Sequence, residues 1–365
     1  MNKLQIGLDI IKVLNANSYE AYIVGGAVRD YILKKEIVDV DIATSATLQQ
    51  VSNLFEDVSF EGKKYLSCRI HLKDMTFEVT TFRKDMEYID HRHPVAVPAK
   101  NLKEDLLRRD FTMNALAMDK DRNIMDMFHG IEDIQKKTIR MIGDPDIRFA
   151  EDALRVLRAL YFSSKLNFGL DQMIISSFKK DYIRYIKEEY IIDMVDKIML
   201  SSYDMGLQYI RKYNLLISYP FYQVLCEEAL QYKYRKDSYS LFYVLHHFLP
   251  LNLRISSSIR AKAKAVAFWI HHKFNAVSLY YGSIEVLDTA LEIYEAITGF
   301  KLNKEKLLKY KEQLPILNSK DIKFDWNKIS VKQRNYFTKR IEQAILLEEI
   351  KNEAREIEKY LEIEE

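Results

Sequence analysis

YIVGGAVRDYILKKEIVDVDIATS, from Tyr22 to Ser45, is the stretch on which the fold turns. The apolar run AYIV (21–24) reaches Gly25-Gly26 and passes into a helical pattern beginning near Ala27. A strand that turns on glycine into a helix aims backbone N–H groups and the positive end of a helix dipole at whatever lies over the turn, which makes an anion site. A second β-like run, VDVDIA (38–43), carries Asp39 and Asp41 two residues apart, hence on one face of a strand. Two carboxylates this close repel each other. A divalent cation between them removes the repulsion, and hard oxygen ligands of this kind suit Mg²⁺ that also holds substrate phosphates. A glycine pair alone is an ordinary tight turn and a DxD alone an ordinary solvated strand face. In succession they point to phosphate chemistry.

Two-metal phosphoryl chemistry calls for a further carboxylate to flank the ions while attacking and leaving oxygens are held in line. Glu78, in FEVTTF (77–82), is the candidate; the competing reading is a plain surface position on a strand. In LLRRDFTMNALAMD, Arg108, Arg109, Asp110 and Asn114 crowd together just before an apolar strand. Arginine can clamp phosphate through two parallel hydrogen bonds, and Asp or Asn can bond ribose hydroxyls. FAEDALRVLRALYF is predicted as one amphipathic helix with Ala153, Leu154, Val156, Leu157, Leu160 and Phe162 inward. Asp152 and Arg155, three apart, would share one face of it. An acceptor beside a donor fits the base edges of cytosine and adenine, whereas guanine and uracil put a carbonyl where the amine should be. The competing reading of Asp152 and Arg155 is an ordinary ion pair on a helix.

At 365 residues the chain has room for two or three domains. A 48% hydrophobic content supports a real core, and 55 Lys+Arg against 53 Asp+Glu leaves any nucleic-acid surface to local clustering. Besides the runs above, SCRIHL (67–72) and NALAMD (114–119) are β-like, so the first part is predicted as a mixed sheet with helices. After Gly143, Asp144 and Pro145 the periodicity becomes helical, as in KKDYIRYIKEEYIIDMVDKIML, whose apolar stripe is expected to be core. The tail from Ile341, with alternating Glu and Lys/Arg, is expected to be a solvated helix laced by ion pairs. Cys68 and Cys226 have neither zinc nor disulfide spacing and are expected to be free thiols in a reducing cytosol, which places the chain in the cytoplasm. No stretch is long and apolar enough for a membrane span. Nothing in the sequence sets an oligomeric state.

The order of these segments resembles the class II tRNA nucleotidyltransferases, the bacterial and eukaryotic CCA-adding enzymes, and the related bacterial poly(A) polymerases. VGGAVRD…DVDIATSA is followed by FEVTTFR, RRDFTMNALA, DMFHGIEDIQKKTIRMIGDP and EDALRVLRAL, continuously over about the first 165 residues. The resemblance implies an α+β fold: a polymerase-β-like nucleotidyltransferase head at residues 1–142, a helical neck with the base-reading helix at 143–215, and a helical body and tail binding tRNA at 216–365. It implies that Asp39 and Asp41 bind the catalytic metals, and that Gly25, Gly26 and Arg29 help hold the triphosphate. Arg109 and Asp110 would lie where the family contacts the ribose, with Asn114 also at the nucleotide. Asp152 and Arg155, with Arg158 nearby, would be an amino-acid template for the base of CTP or ATP, added at the tRNA 3′ end. The segment TFRKDMEYIDHRHPVAVPAKNLKEDL is similar to the family's flexible region, with Arg92 and His93 at its basic centre. Tyr190 stands where the family's neck would have arginine, and LPILNSKDIKFDWNKISVKQRNYF lacks the expected glycines. His246-His247 is not followed by aspartate, so no HD-type phosphohydrolase module is expected. A poly(A) polymerase and a CC-only or A-only enzyme remain open at this stage, with a noncatalytic RNA-binding protein as the alternative from another class.

Overall fold

The computed structural model describes residues 3–60, 66–88, 94–178, 180–184, 186–219 and 257–362. Arg92, His93, Cys226, His246 and His247 lie outside the described residues. The chain divides into two compact units, Met1–Ile217 and Ser218–Glu365.

In the first unit, helix α1 (Lys3–Ala16) leads to β1 (Ala21–Val24), α2 (Gly26–Ile32), β2 (Asp41–Thr44), α3 (Leu48–Leu54) and β3 (Val58–Ser59). Strands β4 (Ser67–Leu72), β5 (Met75–Thr81), β6 (Arg83–Tyr88) and β7 (Pro94–Pro98) follow, then α4 (Leu102–Leu107), β8 (Leu116–Met118) and β9 (Ile124–Asp126). Among the described residues the main sheet has the order β3-β4-β5-β2-β1-β8-β9, while β6 and β7 form a separate antiparallel ribbon. The β2–β5 pair is parallel, in contrast to the β1–β2 and β1–β8 pairs. The runs at 21–24 and 67–72 are strands over the expected residues. The second strand is shorter than VDVDIA implied: it starts at Asp41 and leaves Asp39 in the segment leading into it. Val40, between the two aspartates, is buried against Gly7 of α1, where a Cβ on the glycine would come within 2.7 Å of it. This packing holds the lead-in beside the sheet. Val24, Ala43, Phe82, Leu106, Ala115 and Ala117 form an apolar cluster beneath the β1–β2–β8 region.

Helix α5 (Gly130–Gln135) and β10 (Thr138–Ile139) precede α6 (Pro145–Glu151), which opens with an Asp144 cap and Pro145 at its first position, a favoured helix start. The expected single helix through FAEDALRVLRALYF is in fact two. Asp152 ends α6 with an extended backbone (φ −141°, ψ 98°), and α7 (Leu154–Leu166) begins anew. Of the apolar positions expected to face inward, Ala153, Val156, Leu157, Leu160 and Phe162 are buried, while Leu154 at the start of α7 is only half-buried. Beyond α7 the unit holds β11 (Gly169–Leu170), α8 (Gln172–Ser176), α9 (Lys180–Ile183), α10 (Glu188–Met199) and α11 (Met205–Tyr213). Strand β11 adds a short parallel pair with β10 within an otherwise helical region.

The stripe in α10 is core as expected: Ile191, Ile192, Val195 and Ile198 are buried. So is Asp196, whose Oδ1 has no hydrogen-bond partner. Burial, reinforced by the charge of Asp193 and opposed by Lys197, pushes its carboxyl up to about 8. A carboxyl raised on folding gives stability that is present at low pH and is lost as pH rises from its unfolded value near 3.8 through 8. Asp196→Asn is therefore expected to raise the melting temperature at pH 8.5, by on the order of a few kcal/mol of stability, and to flatten the pH dependence between pH 4 and 8. Melting curves of both proteins across that range check this; an equal slope would contradict it.

The described residues of the second unit are helical, with helices at Ser257–His271, Ala276–Tyr281, Leu287–Thr298, Lys304–Glu312, Val331–Leu346 and Ala354–Glu362. The tail is not the solvated helix expected from its charges. Ile341, Ala344, Ile345 and Leu346 are buried, and Glu342, buried with them, accepts hydrogen bonds from the hydroxyls of Tyr280 and Tyr281. Lys328–Glu358 ties the last helix to the chain before Val331.

Candidate active site

The glycine turn sits where β1 ends in the middle of the sheet. Gly25 has φ +74°, a conformation that side chains rarely adopt, and a Cβ on it would lie 2.8 Å from Nη1 of Arg109. Gly25→Ala is expected to cost about 1–3 kcal/mol of stability through backbone strain and to displace Arg109, raising KM for the nucleotide. Melting and steady-state kinetics with CTP read the two effects; an unchanged KM would mean that Arg109 does not act on the nucleotide.

The register across β1, β2 and β5 sets the acids. Asp41 lies opposite Val24 on one side and Glu78 on the other. Asp41 opens onto the cleft, yet protein packed around it removes part of its hydration; this, then the nearby charge of Glu78 and to a smaller degree Asp39, raises its pKa against Arg109 and Lys3. The same Glu78 charge, after burial, helps push the Cys68 thiol up to about 11. Asp39 is 83% exposed and is held by Lys3, whose ammonium donates to it at 3.1 Å. Hard oxygen donors gathered around Asp41 make a concentration of negative charge that fits a divalent cation. Among the described residues no three His, Cys, Asp or Glu side chains form a metal cage by themselves. Phosphates and water would supply the remaining ligands of a hard cation here.

Arg109 and Arg108 come from the end of α4, and buried Asp105 one turn earlier fixes both, at 3.4 and 3.1 Å. Burial lowers the pKa of Arg109, and Asp105 opposes that most strongly. Arg29, on α2, is buried; it donates to Asp30 and, at 2.6 Å, to Asn114. Asn114 in turn donates to Asp110, which accepts from Arg158 of α7 at 2.6 Å. Burial alone would raise Asp110, but the charge and hydrogen bond of Arg158, with the Phe111 and Asn114 N–H groups, hold its carboxyl below the usual range. Arg29 and Arg158 also lie over the ring of Phe162, at 5.3 and 5.5 Å. This network makes one rigid wall from α2, the 110–114 turn and α7.

Asp152 and Arg155 do not share a helix. The break at Asp152 puts its carboxylate at the α6–α7 junction, where Oδ1 accepts from the N–H of Leu154. Arg155 is 5% exposed and donates to the carbonyl of Arg148 and to Glu151, at 2.8 and 2.9 Å. Arg148 also donates to the carbonyls of Arg108 and Arg109, tying this junction to the end of α4.

One cleft of about 730 Å³ takes in Gly25, Gly26, Arg29, Asp39, Asp41, Arg109, Asp110, Asn114, Asp152, Arg155 and Arg158. Glu78 stands beside Asp41 and is not part of that wall. The same wall includes Lys35, Arg83, Asp85, Tyr161 and Lys165, which were not singled out from the sequence. Tyr161 and Lys165 continue the face of α7 set by Arg155 and Arg158, a spacing that could have shown them. Asp105 stands three and four residues before Arg108 and Arg109, a helical spacing that could have shown it, whereas Lys3 acts across a folded distance and left no local signal. An acid-floored cleft with an anion-binding turn, arginines, half-buried Asp152 as an acceptor and buried Arg155 as a donor can hold a nucleoside triphosphate with its base read by protein.

Residues 21–140 match the family model described as the Poly A polymerase head domain, which sets the class of the first unit as a nucleotidyltransferase head. The chain is 33% identical to the CCA-adding enzyme of Oceanobacillus iheyensis over 93% of this chain and 90% of that one. It is 50% identical to that of Geobacillus thermodenitrificans over 167 residues, 46% of this chain and 41% of the relative. It matches the crystal structure of the Bacillus stearothermophilus CCA-adding enzyme in complex with CTP with a TM-score of 0.82 at 27% identity, covering 99% of this chain and 97% of that one. The chain belongs to the CCA-adding enzyme family.

Proposed function

We propose that this protein adds CCA to the 3′ end of tRNA in the cytoplasm, taking nucleotides from CTP and ATP without a base-pairing template. The observation that carries this reading is the convergence in one cleft of the Gly25-Gly26 turn, the Asp39/Asp41 acids and the Asp152/Arg155 pair. The 3′-oxygen attacks the α-phosphorus, the bond to the β-phosphate oxygen breaks, and pyrophosphate leaves. Asp39 and Asp41 would hold Mg²⁺, with Glu78 beside them; the ion, when bound, supplies Lewis-acid stabilisation of the α-phosphate and of the attacking oxygen. The N–H group at Gly26, with Arg109, binds the phosphates, the Gly25 N–H being taken by the carbonyl of Leu116. Asp110 and Asn114, locked between Arg29 and Arg158, orient the nucleotide at its ribose. Asp152 accepts from the exocyclic amine of cytosine or adenine, and Arg155 donates to the adjacent ring nitrogen. Release of pyrophosphate from CTP tests the reading. It should require both a divalent cation and a tRNA that lacks its 3′ end, and release that is indifferent to the tRNA would contradict it.

A further inference from the structure

Lys3, the first residue of α1, stands one turn before Gly7 on the same face of that helix. Gly7 lets this face come so close to Val40 that a Cβ on the glycine would lie 2.7 Å from the valine's Cγ1. The same approach brings Lys3 against Asp39, the residue before Val40, where its ammonium donates to Oδ1 at 3.1 Å. Among the described residues this is the only ion pair of Asp39. The ammonium also lies 5.9 Å from the ring centre of Phe77, a fully buried residue of β5. The lysine side chain is 22% exposed and the carboxylate it meets is 83% exposed. Lys3 is thus packed in place from the protein side, whereas Asp39 keeps an open face for another ligand.

Asp39, Asp41 and Glu78 bring three carboxylates together. Partial loss of hydration and Glu78 raise the pKa of Asp41, and Arg109, then Lys3, oppose that. Arg109 is tied to Asp105 and lines the nucleotide cleft; Lys3 does not line it. Lys3 therefore offsets the acids from outside the space that the nucleotide takes. An ammonium and a divalent cation on one carboxylate repel each other, so the charge that Lys3 gives Asp39 weakens the hold of the acids on an ion. A triphosphate shifts that balance, because its own negative charge offsets the repulsion when phosphates share the ion with the carboxylates. A groove of about 820 Å³ beside the cleft, bordered by Lys3 and Glu36, gives the ammonium room to turn away from Asp39.

We propose that Lys3 is a built-in competitor of the divalent cation at Asp39, which keeps the affinity of the acids for a bare ion low and makes tight metal binding depend on the nucleotide. The proposal rests on the assignment of the metal to Asp39 and Asp41 and adds a residue that sets its affinity. Titration of the full chain with Mn²⁺, followed by the electron paramagnetic resonance signal of the free ion, reads this without turnover. Lys3→Met keeps an unbranched side chain over Phe77 and removes the charge. It is expected to tighten Mn²⁺ binding about tenfold without nucleotide, through loss of both an exposed ion pair and a like-charge repulsion. Because linkage is reciprocal, the factor by which Mn²⁺ tightens binding of a CTP analogue with a methylene between its α- and β-phosphates should fall at least about threefold. Lys3→Arg, which keeps the charge, should bind Mn²⁺ within about twofold of wild type. Unchanged Mn²⁺ affinity in Lys3→Met, with at most a small fall in melting temperature, would leave an ordinary surface ion pair and overturns the proposal. Weaker Mn²⁺ binding overturns it too, because Lys3 would then be steadying Asp39 for the ion. Equal tightening in Lys3→Arg and Lys3→Met would trace the effect to packing on Phe77 and has the same consequence. Asp41→Asn separates the levels: Mn²⁺ binding that survives it sinks the metal assignment and this proposal together, whereas binding lost in Asp41→Asn but indifferent to Lys3 sinks this proposal alone.

Discussion

Asp41→Asn is expected to lower nucleotide addition by about three orders of magnitude or more while leaving the fold intact. A metal's stabilisation of a transferring phosphoryl group is worth several kcal/mol, and each ~1.4 kcal/mol is tenfold in rate. The stability effect has the opposite sign. Partial loss of hydration and Glu78 raise the pKa of Asp41, so its charged form destabilises the metal-free protein as pH rises through the folded value, and the amide removes that cost. Without metal at neutral pH, the variant should melt no lower than wild type. Asp39→Asn should be equally inactive with little change in melting, because the exposed pair it makes with Lys3 is worth about 0–1 kcal/mol. Glu78→Gln should also slow turnover; an unchanged rate would return Glu78 to a strand-surface role. Near wild-type turnover by either aspartate variant with Mg²⁺ would refute the metal assignment.

Truncating Asp152 or Arg155 to alanine is expected to relax discrimination against UTP and GTP by about one to two orders of magnitude, beyond any general fall in rate. A good two-point contact to a base edge is worth roughly 1–3 kcal/mol of discrimination. Burial works in the same direction: Arg155 is 5% exposed, and the ring N–H of guanine or uracil would meet its N–H groups donor to donor in a site with little water. If the two residues only brace the α6–α7 junction, the variants melt lower and the ratio of CTP to UTP use is unchanged. Values of kcat/KM for all four nucleotides, beside melting temperatures, separate these outcomes.

The local signals in the sequence were the ones tied to backbone conformation and short spacing. Gly25-Gly26 announced the turn because few other residues accept the positive φ of Gly25, and an apolar run at 21–24 and alternation at 67–72 marked two strands. Glu78 was singled out by chemistry, but its place opposite Asp41 comes from a parallel pairing of distant strands that no local pattern shows. The break at Asp152 was invisible because FAEDALRVLRAL contains neither glycine nor proline and keeps helical periodicity across it. What accompanies the break is tertiary: Arg148 bonds the carbonyls of Arg108 and Arg109, and Glu151 accepts from both Arg148 and Arg155. In the tail, alternating charges masked the spacing of Ile341, Ala344 and Ile345, which packs inward.

Product length on a tRNA lacking its 3′ end tests the central claim most directly. With Mg²⁺, CTP alone should extend the RNA by two nucleotides, CTP with ATP by three and then stop, and ATP alone by none. A lengthening run of adenylates, arrest after two cytidylates with ATP present, or addition of adenylate alone only to an RNA already ending in CC would contradict it.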